Sequence, residues 1–145
     1  NKMKNLIVAF IALVAFGNVA MSQTTKGKQT QTKAETAKVI VMVNTASWCP
    51  ACKANGQRVE QNVISQYMKN DKCEIVVNDL SNDETKTASK TKCDKAGITE
   101  VASNNKGTGV IYFINSVTKE VIAQISVTKT DEEIKQAFED AISKV

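Results

Sequence analysis

Two cysteines stand at C-x-x-C spacing in the run Trp48-Cys49-Pro50-Ala51-Cys52-Lys53. A thiolate, not a thiol, is the nucleophile in disulfide exchange and the ligand for soft metals. At a helix N-terminus the free backbone N–H groups and the positive end of the macrodipole favour that anion. A second thiol three residues along the same helix points to the same side. It can attack a mixed disulfide formed at the first and release the substrate. Cys49 is therefore the candidate attacking thiol and Cys52 the candidate resolving thiol. Two plainer readings stand beside this one. The pair can be a structural disulfide, or it can be half of a tetrahedral zinc shell or a soft Cu(I) site.

The chain contains no histidine in its 145 residues. That excludes Ser-His and Cys-His catalytic pairs and Cys/His zinc fingers. It also excludes c-type haem attachment, because Lys53 stands where a histidine is required. There is no second C-x-x-C, and neither a metal nor an organic cofactor is expected.

The elements that must hold Cys49 follow from the apolar pattern. Val39 to Val43 is a continuous apolar, β-branched run, the pattern of a strand covered on both faces. Thr45 to Trp48 reads as a loop, and Pro50 suits the first turn of a helix. From Pro50 to Lys69, Val59, Val63, Ile64, Tyr67 and Met68 recur at helical spacing. Cys73 to Val77 reads as a second strand. Asn82 and Asp83 can cap a polar helix over 84–96, which Gly97 ends. Residues 99–109 read as a loop, Val110 to Ile114 as a third strand and Glu120 to Val127 as a fourth. Thr130 or Asp131 caps a last helix carrying Ile134, Phe138, Ala141 and Ile142 on one face.

The order β-α-β-α-β-β-α predicts an α/β fold, with a mixed central sheet of about four strands and helices on both faces. Strands separated by helices should run parallel with right-handed crossovers, and the last two should pair antiparallel. About 105 residues suffice for one small core.

The first 22 residues read differently. Lys2 and Lys4 precede an 11-residue apolar run from Leu6 to Phe16, then Gly17, Asn18 and the small residues Ala20 and Ser22. That is the pattern of a secretory signal peptide, and the run is shorter than the roughly 20 residues of a membrane-spanning helix. Residues 23–37 are Thr-, Gln- and Lys-rich and predict a polar linker. The domain is placed at 38–145. An exported protein, periplasmic or secreted, is expected, without stable membrane insertion once the signal is cut.

The formal charge is +4, from 19 basic and 15 acidic residues. Removing the two lysines of the signal leaves 17 minus 15, or +2. Signs are interspersed and aromatics are few, so nucleic acid is not an expected partner. A monomer acting on protein thiols and disulfides, together with a redox partner, is expected.

The segment Val39-Ile-Val-Met-Val-Asn-Thr-Ala-Ser-Trp-Cys-Pro-Ala-Cys-Lys53 resembles the active-site segment of the thioredoxin superfamily, most of all exported bacterial members with Trp-Cys-Pro-x-Cys. The likeness in element order spans roughly residues 37–144. It implies a thioredoxin-like three-layer sandwich and thiol–disulfide oxidoreductase activity carried by Cys49 and Cys52. It also implies substrate-positioning roles for Trp48, Pro50, Thr108 and Gly109. Two positions depart from the family. The family's cis-proline place falls at Gly109, since Pro50 is the only proline. Its buried acid, six residues before the first cysteine, is Val43 here. These departures keep a second class of function open, a non-catalytic module on the same fold that binds a partner protein or Cu(I).

Cys73 opens a strand and Cys93 lies near the end of the next helix, which in a β-α unit returns toward the strand's start. A second disulfide is then possible, worth roughly 3 kcal/mol. The alternative is two independent buried thiols. Lys53 and the Lys/Thr-rich run from Thr85 to Lys95 read as solvated helix faces.

Overall fold

The computed structural model describes residues 37–145. The expected signal peptide and all but the last residue of the expected polar linker lie outside the described residues.

Strand β1 (Val39–Thr45) is the centre of the fold. Its residues from Val39 to Asn44 are all buried, as a strand covered on both sides requires. The sheet order is β2-β1-β3-β4, with β2 (Cys73–Asp79), β3 (Val110–Asn115) and β4 (Val121–Ser126). β2 runs parallel to β1 in the register Val39↔Cys73.

β3 runs antiparallel to β1, with Asn44 opposite Val110. This corrects the parallel order expected of strands joined through helices. Residues 99–109, expected to be a loop, begin with a short helix, α4 (Thr99–Asn104). After α3 (Asp83–Ala96) has crossed back along the sheet, α4 and the segment behind it return the chain to the far end of β1. There the Gly109 N–H donates to the Asn44 carbonyl at 2.9 Å. β3 therefore starts where β1 ends.

Alternation along the strands sends side chains to two cores. Val39, Val41, Val43, Ile111 and Phe113 meet Val59, Val63, Ile134 and Phe138 from α1 (Pro50–Val59), the turn after it, and α5 (Asp131–Ser143). Phe138 stacks on Tyr67 at 4.1 Å between ring centroids and meets Phe113 edge-on at 5.0 Å. On the other face Ile40, Met42, Tyr112 and Ile114 pack with Cys93, Ala96 and Ile98 around α3 and α4. The three layers are those expected.

Capping follows the sequence signals. The Asn82 side chain accepts from the Thr85 N–H at 2.9 Å, and Gly97 closes α3 at φ 70°. Thr130, rather than Asp131, caps α5 in a reciprocal box with Glu133.

The long helix expected from Pro50 to Lys69 is interrupted. A π-helical segment (Glu60–Ile64) follows α1, and a last α-helical turn, α2, spans Ser65–Tyr67. The Ser65 N–H reaches back to the Glu60 carbonyl, closing the wide turn. Such turns insert one residue and rotate the helix face beyond them.

Candidate active site

Cys49 is the N-cap of α1, in extended backbone geometry, with Pro50 in the first turn. Its Sγ accepts the Cys52 backbone N–H at 3.2 Å, and no acidic residue lies in that turn. A free helix-end amide thus points at the sulfur, as the C-x-x-C context requires. Cys49 and Cys52 form a disulfide with Cα atoms 5.3 Å apart.

The loop before Cys49 is tied to β2. The Ser47 N–H donates to Ser81 Oγ at 2.7 Å, and the Leu80 N–H donates to the Thr45 carbonyl at 2.8 Å. Ser81 in turn donates from its hydroxyl and its N–H to the Asp79 carboxylate. The Ser81 hydroxyl is the first cause of an Asp79 carboxyl held below its usual pKa.

Behind the loop sits a polar group the sequence reading passed over. Asn44 is fully buried at the end of β1. Its Nδ2 donates to the Asn105 carbonyl at 2.7 Å and its Oδ1 accepts from Asn78 Nδ2 at 2.9 Å. With Gly109 bonded to its carbonyl, Asn44 fastens three segments around the dithiol.

Gly109 occupies the place assigned to it opposite the cysteines. A Cβ built there would lie 3.5 Å from Cys49 Sγ and 3.1 Å from Ala51 Cβ, and φ is +71°. Left-handed backbone and close approach both favour glycine. The described residues contain no cis peptide bond. Thr108 is half-buried beside it, Pro50 and Lys53 are exposed, and Trp48 is 58% exposed.

The two sulfur residues differ in exposure. Cys49 is 3% exposed, whereas Cys52 is half-buried. Gly109 lies against Cys49 Sγ. Cys52 instead lines an open depression with Ser47, Lys53, Asp79 and Ser81.

Cys52 also lines a second cavity of about 180 Å³, together with Val43, Gly56 and Glu60. Cys52, Gly56 and Glu60 are four residues apart and so share one helix face. Nothing lies within 4 Å of a Cβ built at Gly56, so no packing explains a residue that weakens a helix interior. Glu60 brings a carboxylate to a cavity whose strand wall is Val43. The sequence signal for it was the i, i+4, i+8 spacing, which apolar counting ignores.

The proposed Cys73–Cys93 disulfide is corrected. Both are free buried thiols, Cys73 in the core beneath α5 and Cys93 in the core beneath α3, on opposite faces of the sheet. The β-α return brings the two ends together but places the sheet between the sulfurs. Burial first, then Glu139, pushes the Cys73 thiol up to about 11, and burial raises Cys93 too. The folded state therefore prefers the protonated Cys73. This stability is present below about pH 8.5, where unfolded thiols titrate, and is lost as pH rises toward 11. Iodoacetamide at pH 8 should label Cys73 and Cys93 of the native reduced protein only after denaturant is added. Labelling of either in native buffer contradicts thiols that burial holds protonated.

Among the described residues no group of three or more acidic or cysteine side chains is placed to hold a metal ion. A mixed sheet of order β2-β1-β3-β4 between two helix layers, with C-x-x-C at the head of the helix after its central strand, is the thioredoxin-like architecture. A family profile described as Thioredoxin matches residues 26–145, and the chain belongs to that family. No curated protein matches the chain. Among solved structures it is similar to a protein assigned as a protein disulfide isomerase from Bacteroides thetaiotaomicron. That likeness has 15% identity and TM-score 0.49, over 73% of this chain and 74% of the other. It is also similar to a thioredoxin from Wuchereria bancrofti, with 17% identity and TM-score 0.47 over 74% and 84%. Trxlp from Edwardsiella tarda EIB202 follows, with 13% identity and TM-score 0.42 over 73% and 87%.

Proposed function

We propose that the protein is an exported thiol–disulfide oxidoreductase that exchanges disulfides with protein substrates through Cys49 and Cys52. The observation that carries this is the Cys52 N–H aimed at Cys49 Sγ at the head of α1. It favours the Cys49 thiolate both as nucleophile and as leaving group. Starting from the dithiol, Cys49 attacks a substrate disulfide and expels one substrate thiolate. Cys52 then gives up its proton and attacks Cys49, closing the disulfide and releasing the second substrate thiolate. Two electrons pass to the substrate.

Glu60 lines the same cavity as Cys52, eight residues along the chain, and is the carboxylate assigned to take that proton through water. Glu60→Gln should slow the closing step by about a hundredfold, the lower range for a general base. An unchanged closing rate removes Glu60 from the mechanism.

One observation favours a second assignment of roles: Cys52 is the more exposed residue. In that assignment an incoming thiol meets Cys52, and Cys49 is expelled. The same apolar run and small residues that predict a signal peptide support the exported compartment.

Insulin reduction with dithiothreitol tests the activity. Acceleration above the dithiothreitol background is expected. No acceleration, with stoichiometric Cu(I) uptake, contradicts it in favour of a binding module.

A further inference from the structure

Beside the dithiol, on the side of the sheet carrying α3 and α4, lies a groove of about 640 Å³. Its walls are unlike the rest of this evenly charged chain. Trp48, the only tryptophan, stands at one end and is 58% exposed, next in sequence to Cys49. Leu80 and Ala102 add apolar surface along it. Lys86, Lys90 and Lys106 supply three positive charges, and no acidic residue lines it. Lys86 and Lys90 meet Asp83 at 3.3 Å and Asp94 at 2.8 Å, but both pairs are exposed to solvent. Such pairs are weak and open to competition from another carboxylate. Lys106 makes no ion pair among the described residues. An exposed aromatic, an apolar wall and one sign of charge are the features of a recognition surface rather than of an ordinary solvated helix face.

We infer that this groove binds an extended polypeptide segment that carries apolar side chains flanked by carboxylates, and so selects acidic stretches of substrate chain next to the reacting cysteine. The apolar side chains lie against Trp48, Leu80 and Ala102, and the carboxylates face the three lysines. The inference deepens the redox reading by naming the substrate class, and it rests on that reading only for what the captured segment is used for. Binding itself needs no electron transfer, so it is tested without turnover.

The test titrates the whole protein with a cysteine-free peptide of two leucines and three glutamates, and with its counterpart carrying lysine for each glutamate. Trp48 fluorescence is the readout, unambiguous because there is one tryptophan. The acidic peptide should bind about tenfold more tightly at low salt, the product of three exposed charge pairs each worth about twofold. The gap should narrow at high salt, where charges are screened within about 3 Å. It should vanish in the triple variant Lys86→Gln/Lys90→Gln/Lys106→Gln and persist in the corresponding triple arginine variant. Equal affinity for both peptides, no saturable response, or an acidic preference that survives the glutamine variant overturns the inference. So does equally tight binding of free N-acetylglutamate, which marks a small-anion site. Reduction of hydroxyethyl disulfide by the unaltered protein reports on the dithiol alone. Its failure sinks the redox reading and leaves the binding result standing on its own.

Discussion

Cys49→Ser should bring insulin reduction down to the dithiothreitol background. A serine hydroxyl at the N-cap still accepts the Cys52 N–H, so the helix keeps its cap. What disappears is a sulfur that can be an anion near neutral pH and can bond to another sulfur. Cys52→Ser should also stop turnover, but by a different route. The mixed disulfide on Cys49 then has no partner to resolve it and accumulates as a trapped adduct, visible by mass. If the adduct instead accumulates in Cys49→Ser, Cys52 is the sulfur that meets the substrate, as its greater exposure suggests. If Cys49→Ser retains wild-type activity, the redox assignment is wrong.

The second large effect lies one layer beneath. Asn44→Ala should destabilise the domain by about 2–4 kcal/mol, since it strands buried hydrogen-bonding groups that cost about 1–3 kcal/mol each. The groups left alone are the Asn105 carbonyl and the Asn78 amide. That is a large part of the roughly 5–15 kcal/mol that holds a domain folded. At about 4–8 °C per kcal/mol, the melting temperature should fall by about 8–32 °C. The Gly109 N–H keeps its bond to the backbone carbonyl of residue 44, but the residue 105 carbonyl loses its side-chain tether, so alkylation of the reduced cysteine should quicken as stability falls. A variant as stable as the unaltered protein shows that water replaces the side chain and that Asn44 fastens nothing.

Much of this was legible in the chain. The unbroken apolar run of β1, the proline after Cys49 and the caps at Asn82, Gly97 and Thr130 each have a local cause, and each lies where expected. What lay hidden depends on contacts distant in sequence. Asn44 follows an apolar run, and a residue disfavoured in strands falls there between the strand and the loop that the sequence predicts. Its role exists only because Asn78 is its register partner and residue 105 passes overhead. The direction of β3 was misread because α4 is six residues long and carries no buried residue, too little for an apolar period to register. The Cys73–Cys93 pairing failed for a related reason. Sequence spacing gives proximity along the sheet but not which face a side chain takes, and a strand resolves that question residue by residue. Glu60 was overlooked because it is exposed and polar, and only the cavity shared with Cys52 gives it meaning.

The measurement closest to the central claim is the ultraviolet absorbance of the Cys49 thiolate against pH in the reduced Cys52→Ser protein, where burial raises the Cys73 and Cys93 thiols above their ordinary values. A thiolate held at the head of α1 should titrate below about 7.5, within the range of helix-end cysteines. A midpoint at or above about 8.5, the value of a free thiol, contradicts the account.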